Sequence, residues 1–241
     1  MSHKIIVVGH SKLDMDLMKE IGDATMGIEE FVEDPKKFSL ALFTGGADVT
    51  PSLYKEKGAA LCFSDIYRDL VDKAIYDMCT ANKVKKIGIC RGLQFINVME
   101  GGKLIHHLDG HEGGQHLFEC FKDDKLRKVN SLHHQMVIPP KNPMKAVVVG
   151  WSAAKLSKNY YGNNDERTDW KGPEVEAVIY PRGSACGVQY HPEMMDKGSP
   201  GRTFFVEMAQ DLLNLAMIDF ISKYAKGREE PSHGAKDASN N

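Results

Sequence analysis

Cys90 lies in the run Val84-Lys85-Lys86-Ile87-Gly88-Ile89-Cys90-Arg91-Gly92-Leu93-Gln94-Phe95-Ile96, with glycines at positions 88 and 92. The residues before it suit a short strand, and those after it a helix reaching Gly101-Gly102. A cysteine at so abrupt a turn follows the nucleophile-elbow pattern, with sulfur in place of the serine oxygen. The turn lifts the side chain out of the sheet and sets it at a helix N-terminus. Free N–H groups and the positive dipole end there favour a thiolate. The N–H of Arg91 then stands where a carbonyl oxygen would collect negative charge. Gln94, four residues on, shares a helix face with Cys90. The competing reading is a buried, inert thiol, and the elbow needs a base.

Gly187-Val188-Gln189-Tyr190-His191-Pro192-Glu193 offers one. In extended backbone, residues two apart point to one side, so His191 and Glu193 face the same way. Pro192 supplies no ladder N–H and marks the strand's end. A carboxylate there can hold the imidazole in one tautomer and steady its charged form. An exposed His-Pro-Glu turn is the alternative. The third part is Thr44-Gly45-Gly46-Ala47-Asp48-Val49, which follows the apolar strand Leu40 to Phe43. It places bare backbone N–H groups at the sheet edge where ligands of open α/β sheets collect. A sulfur nucleophile, an oriented imidazole and a loop of donors are the parts needed for acyl transfer.

The elements that must position these parts are legible along the chain. Lys4 to Gly9 is a buried strand, and Ser11 caps a helix through Leu13, Leu17 and Ile21 that stops at Gly22. Gly27 to Val32 reads as a weaker strand. Ser64 is the expected cap of a helix carrying Ile66, Leu70, Val71, Ala74, Ile75 and Met78, with Asp65, Arg68 and Asp69 in a solvated first turn. Lys103 to Leu108, His116 to Phe121, Met144 to Ser152, Val175 to Pro181 and Ala185 to Tyr190 read as further strands, and Lys128 to Val137 contains the run VNSLHHQMV. Lys155 to Pro173 reads as an exposed loop. One C-terminal helix is expected from Thr203 to Lys226. Residues 1–226 form the expected single domain, and 227–241, without large apolar residues, a disordered tail.

Composition narrows the class. The chain has 241 residues, enough for one large α/β domain, and a formal net charge of −2, which gives no electrostatic case for nucleic acid or a membrane surface. Cysteines at 62, 79, 90, 120 and 186 form no CxxC pair and are odd in number, favouring a reducing compartment. Ile5 to Val8 is too short for a signal-peptide core, and no apolar stretch approaches the roughly 20 residues of a membrane helix. A cytoplasmic location is the expectation. His106, His107, His111 and His116 match no standard zinc signature, so no metal or other cofactor is expected.

GICRGLQ, TGGADVTPSLY, VNSLHHQ and GVQYHPE together resemble the class I glutamine amidotransferase superfamily. They are most similar to its peptidase C26 branch, which contains the γ-glutamyl hydrolases and γ-glutamyl-γ-aminobutyrate hydrolases. The resemblance spans about Lys4 to Glu193. It implies a flavodoxin-like α/β fold: an open, mostly parallel sheet with helices on both faces, plus a small antiparallel β subregion. It also implies Cys90 as nucleophile, His191 as general base and acid, Glu193 as its orienting carboxylate, and an oxyanion hole from the backbones of Gly46 and Arg91. Gly45 and Gln94 match substrate-binding positions, Gln94 at the glutamyl head group. Ser131, Leu132 and His133 match the segment whose backbone meets the substrate α-carboxylate, with His134 and Gln135 lining the branch-specific pocket. The chain departs from the family at Thr44, usually Pro, at Tyr190, usually Trp, and in the 155–173 loop.

The expected activity is hydrolysis of a γ-glutamyl amide through a thioester, releasing glutamate and an amine. Two alternatives stay open. One is a glutaminase subunit that takes glutamine and delivers ammonia to a separate synthase partner. The other is a non-catalytic binding or sensor protein on the same scaffold.

Overall fold

The computed structural model describes residues 3–9, 11–123 and 125–226; the expected tail at 227–241 lies outside them. Nine strands form one sheet in the order β2 (Asp23–Thr25), β1 (Lys4–Val8), β3 (Leu40–Phe43), β4 (Lys85–Ile89), β13 (Ala185–Val188), β12 (Val175–Tyr180), β10 (Val147–Ser152), β7 (Gln115–Cys120) and β8 (Leu126–Asn130). The first five are parallel and keep the flavodoxin-like order, while the remaining pairings are antiparallel. β5 (Lys103–Ile105) pairs with β9 (Met136–Ile138), and β6 (His107–Leu108) with β11 (Tyr160–Tyr161). These are the small antiparallel subregions.

Alternation in the central strands builds two apolar layers. Ile5, Val7, Leu40 and Leu42 face one layer, which is shared with α1 (Lys12–Met18), α5 (Pro200–Asn214) and α6 (Met217–Tyr224). Ile6, Val8, Ala41 and Phe43 face the other, shared with α3 (Ile66–Asn82) and α4 (Arg91–Met99). Buried on both faces, these strands read as continuous apolar runs. No described helix is long and apolar enough to cross a membrane.

The structure corrects four sequence expectations. The region expected to be a strand at Gly27 to Val32 is instead α2 (Ile28–Glu33), and the strand lies earlier, at Asp23–Thr25. Helix brings Phe31 onto Phe38, with ring centroids 5.2 Å apart. The cap of α3 is Asp65 rather than Ser64; its carboxylate accepts from the N–H groups of Tyr67 and Arg68 at 3.0 and 3.2 Å. The C-terminal helix breaks at Leu215 and Ala216, both extended. The break swings Phe220 and Tyr224 back onto the core, where Tyr224 meets Phe204 edge-on. Finally, the 155–173 segment is docked rather than loose. Besides the β6–β11 pairing, the Asp165 carboxylate accepts from Ala60 N–H at 2.9 Å, and Asn164 N–H donates to the Gly58 carbonyl at 2.8 Å.

Candidate active site

β4 ends at Ile89, and the chain turns at Cys90, whose φ of 51° is unusual for a residue with a side chain. The turn survives because its flanks are bare. A Cβ on Gly92 would lie 1.9 Å from the Phe43 carbonyl oxygen, and one on Gly88 2.4 Å from Leu93 N. α4 then starts at Arg91, whose N–H lies in the first turn and has no acceptor within the helix. The Arg91 guanidinium reaches back to pair with the buried carboxylates of Asp69 and Asp72 on α3. This ties the first turn of α4 to its neighbouring helix.

β13 lies beside β4, with Gly187 opposite Gly88 and Val188 opposite Ile89, and Cys90 N–H donates to the Val188 carbonyl at 2.8 Å. The parallel register carries the residues after Val188 past the thiol. Gln189 Nε2 stands 3.6 Å from Cys90 Sγ, and His191 Nδ1 is 2.6 Å from Glu193 Oε1. Burial disfavours a charged imidazole here, but hydrogen-bonding contact with Cys90 and Glu193 outweighs it and pushes His191 up to about 10. Asn130, at the end of β8, clamps the His191 backbone from both sides: it accepts from His191 N–H at 2.8 Å and donates to its carbonyl at 2.9 Å. Tyr190 points away, donating its hydroxyl to the Gly201 carbonyl at 2.9 Å. That departure from the family therefore sits in the core and not against the imidazole.

The Gly-Gly loop crosses in front of this pair. A Cβ on Gly45 would lie 2.9 Å from His191 Cε1 and 3.9 Å from Cys90 Cβ. Arg68, expected in a solvated turn, is instead built into the loop. Its guanidinium donates to the Gly45 carbonyl at 2.7 Å, to the Thr44 carbonyl at 3.0 Å and to the Thr44 hydroxyl at 2.9 Å. Asp69 is likewise interior, and its second oxygen accepts from Thr50 N–H at 2.8 Å. A cleft of about 570 Å³ opens beside the imidazole, bordered by Gly45, Gly46, Arg68, His191, Glu193 and Asp14. Burial, together with the nearby Glu193 charge, raises Asp14 to about 6.

The remaining predicted binding residues divide. Gln94 is buried and donates to the Gln135 carbonyl at 3.2 Å and to Gln189 Oε1 at 3.3 Å, so it joins the thiol's surroundings through Gln189. Gln189 escaped the sequence reading, although the same two-residue period that pairs His191 with Glu193 includes it. The N–H groups of Ser131 and His133, expected to meet an α-carboxylate, are already donated to the carbonyls of Gly114 and His111. Leu132, between them, exposes its side chain. His133 is buried away from the cleft with Nδ1 on the Gln135 carbonyl, and Gln135 Nε2 donates to the His106 carbonyl. His134 is half-buried and sits 3.1 Å from Asp48, which raises its pKa. Asp48 in turn accepts from Phe63 N–H at 2.8 Å.

Comparison with known proteins bears on the family. A family model described as Peptidase C26 matches residues 36–122. The glutamine amidotransferase-like YvdE homolog of Lactococcus lactis subsp. cremoris is 32% identical over 151 residues, which cover 51% of this chain and 79% of that protein. The chain belongs to the class I glutamine amidotransferase-like superfamily, in its peptidase C26 branch.

Other relatives fit that placement. The YvdE protein of L. lactis subsp. lactis is 29% identical to this amidotransferase-like chain over 191 residues, 71% of each. Among solved structures, a glutamine amidotransferase from Thermotoga maritima superposes with a TM-score of 0.52 at 16% identity, covering 92% of this chain and 85% of that one. PurLQS from the same organism gives 0.53 at 13%, covering 94% and 100%. At such identities these two show a shared fold.

Proposed function

We propose that this amidotransferase-like protein hydrolyses γ-glutamyl amides through a γ-glutamyl thioester on Cys90. The observation that supports the reading is that Cys90 and the His191 imidazole, held by Glu193 at 2.6 Å, both border the bare Gly45. In this scheme the Cys90 sulfur attacks the γ-carbonyl carbon, and the oxyanion is taken by the N–H groups of Gly46 and Arg91. His191 gives its proton to the departing amine. It then takes one from water as the thioester is hydrolysed, releasing glutamate and restoring the thiol. Gln94 and Gln189 form the amide-rich wall against the glutamyl group.

The protein acts as a free-standing hydrolase, with the substrate a γ-glutamyl conjugate of an amine. The ammonia-donating version draws support from one of the fold neighbours, described as a GMP synthase subunit from Thermoplasma acidophilum, at 14% identity. Assay separates them. The hydrolase turns over γ-glutamyl amines unaided, whereas a glutaminase subunit acts on glutamine and accelerates only when a synthase is added. Cys90→Ala should abolish turnover of every γ-glutamyl amide that the wild type accepts. Activity above background in that variant would remove the thiol from the mechanism.

A further inference from the structure

Four side chains that thiol chemistry leaves unused meet in the interior: His111, His116 on β7, His133, and Glu176 on β12. Each is at least nine-tenths buried. The Glu176 Oε1 atom lies 3.1 Å from His116 Nε2, 3.7 Å from His133 Nε2 and 3.8 Å from His111 Nδ1. None of these approaches is aligned as a hydrogen bond. His116 Nε2, His133 Nε2 and both Glu176 oxygens are left without a hydrogen-bond partner. A buried carboxylate with no donor is costly, and a cluster of orphaned polar atoms at one point requires an explanation.

The outer ring nitrogens supply it. His133 Nδ1 lies 2.9 Å from the Gln135 carbonyl, which can only accept, so Nδ1 carries the hydrogen and the neutral ring turns its Nε2 lone pair towards Glu176. His111 Nε2 lies 3.1 Å from Glu174. That carboxylate also accepts from the N–H groups of Leu156 and Ser157 and from the Tyr160 hydroxyl, and these donors keep it ionised. His111 Nε2 therefore carries a hydrogen, and the lone pair of the neutral ring is at Nδ1, on the Glu176 side, where the Ser131 hydroxyl at 2.9 Å turns its hydrogen either to that lone pair or to the His111 carbonyl at 3.0 Å. Two imidazole lone pairs and a carboxylate facing one another repel unless a cation lies among them or a proton is held between Glu176 and His116, 3.1 Å away.

We propose that this cluster is a structural site for a divalent transition metal of the zinc type, with His111 Nδ1, His133 Nε2 and Glu176 as ligands and His116 beside the fourth position. The three ligand atoms lie within 4.8 Å of one another. Bonds of about 2.0 to 2.2 Å in a tetrahedron set ligand atoms about 3.3 to 3.6 Å apart, so closing around an ion needs only small shifts. Imidazole and carboxylate donors suit zinc. The outer contacts of His133 with a carbonyl and of His111 with a carboxylate are the arrangement that orients metal-bound histidines. Glu174 and Glu176 together balance a charge of +2. The ligands come from three separate parts of the chain, which is why no zinc spacing shows in the sequence. Such an ion would brace the 131–135 segment, whose Gln135 carbonyl holds Gln94, and β12, whose Glu176 carbonyl accepts from Gln189 N–H. The site does not depend on Cys90.

The test is metal content of the full chain, produced without a histidine tag in zinc-supplemented medium and passed through metal-free buffer. The expected result is about one zinc per chain, falling below about a tenth in Glu176→Gln and His133→Gln and unchanged in Cys90→Ser. Cobalt(II) loaded in place of zinc should give the visible absorption of a tetrahedral nitrogen–oxygen site with no thiolate charge-transfer band. Wild-type protein that stays folded but takes up neither zinc nor cobalt would overturn the proposal and leave a shared proton as the explanation of the cluster. So would zinc lost in Cys90→Ser, or fully retained in folded Glu176→Gln. Should both ligand variants fail to fold, the wild-type zinc content and cobalt spectrum decide.

Discussion

Arg68 donates from Nη1 to the Gly45 carbonyl at 2.7 Å, and this contact fixes which way the Gly45–Gly46 peptide faces. No described peptide bond is cis, so the Gly46 N–H points opposite to that carbonyl and away from the guanidinium. A side chain on Gly46 could not coexist with this contact: a Cβ would lie 2.2 Å from Arg68 Nη1. Arg68 is thus a positioning residue for the proposed oxyanion donor. Arg68→Ala is expected to lower kcat with little change in KM, by up to the roughly 100- to 1,000-fold that losing one oxyanion donor costs. Steady-state kinetics on a γ-glutamyl anilide check this. A rise in KM at constant kcat would place Arg68 in substrate binding instead.

The protonation of His191 governs two pH dependences. Its folded pKa, raised from 6.5 to about 10, means the interactions favour the charged ring. Its contribution to stability is therefore full below about pH 6.5 and is lost as pH rises through about 10. Urea unfolding of wild type and His191→Gln should show their difference shrinking across that window.

In the proposed mechanism the same group sets the alkaline limb of kcat/KM. Cys90, Glu193 and Asp14 are the titratable groups around it, and Glu193 is the carboxylate in contact with the ring, 2.6 Å from Nδ1. Glu193→Gln is expected to move the limb to lower pH, because removing a carboxylate favours the neutral imidazole. An unmoved limb in that variant would contradict the pairing.

Gly92 tests the elbow by volume. Its missing Cβ faces the Phe43 carbonyl oxygen at 1.9 Å, a backbone atom of the central strand that cannot swing aside. Gly92→Ala should destabilise the fold by about 1 to 3 kcal/mol or more, as overpacking does. Denaturant midpoints measure it, and a neutral substitution would mean that α4 does not enter as described.

Asn130 holds the His191 backbone by two hydrogen bonds. Asn130→Ala leaves the partly buried His191 N–H unpaired, at a cost of about 1 to 3 kcal/mol, while its carbonyl keeps the Met194 N–H at 3.2 Å. The expected outcome is a lower melting temperature together with a lower kcat. Loss of stability alone would show that the clamp does not position the imidazole.

What the sequence disclosed was local. The elbow is written in consecutive residues, and His191 and Glu193 are joined by a period of two. The Gly27 to Val32 segment reads as a strand because so short a stretch, with Ile28, Phe31 and Val32 as its large apolar residues, fits helix or strand, although those three carry helical spacing. Nothing at Leu215-Ala216 marks a break, since neither Gly nor Pro is present, and the turn there answers to the packing of Phe220 and Tyr224. Arg68 and Asp69 looked solvent-facing because their partners, Gly45 and Arg91, lie more than twenty residues away. His133 matches a substrate-facing family position, yet its ring turns inward to Glu176, forty-three residues later.

The central claim is that Cys90 becomes acylated. Rapid acid quenching of wild-type protein with a γ-glutamyl amide, followed by intact mass and peptide mapping, reads it directly. A γ-glutamyl adduct is expected on the Cys90 peptide of the wild type and is expected to be missing in Cys90→Ala. Steady turnover of the same substrate with no adduct on Cys90 at any quench time, or undiminished turnover in Cys90→Ala, would contradict it.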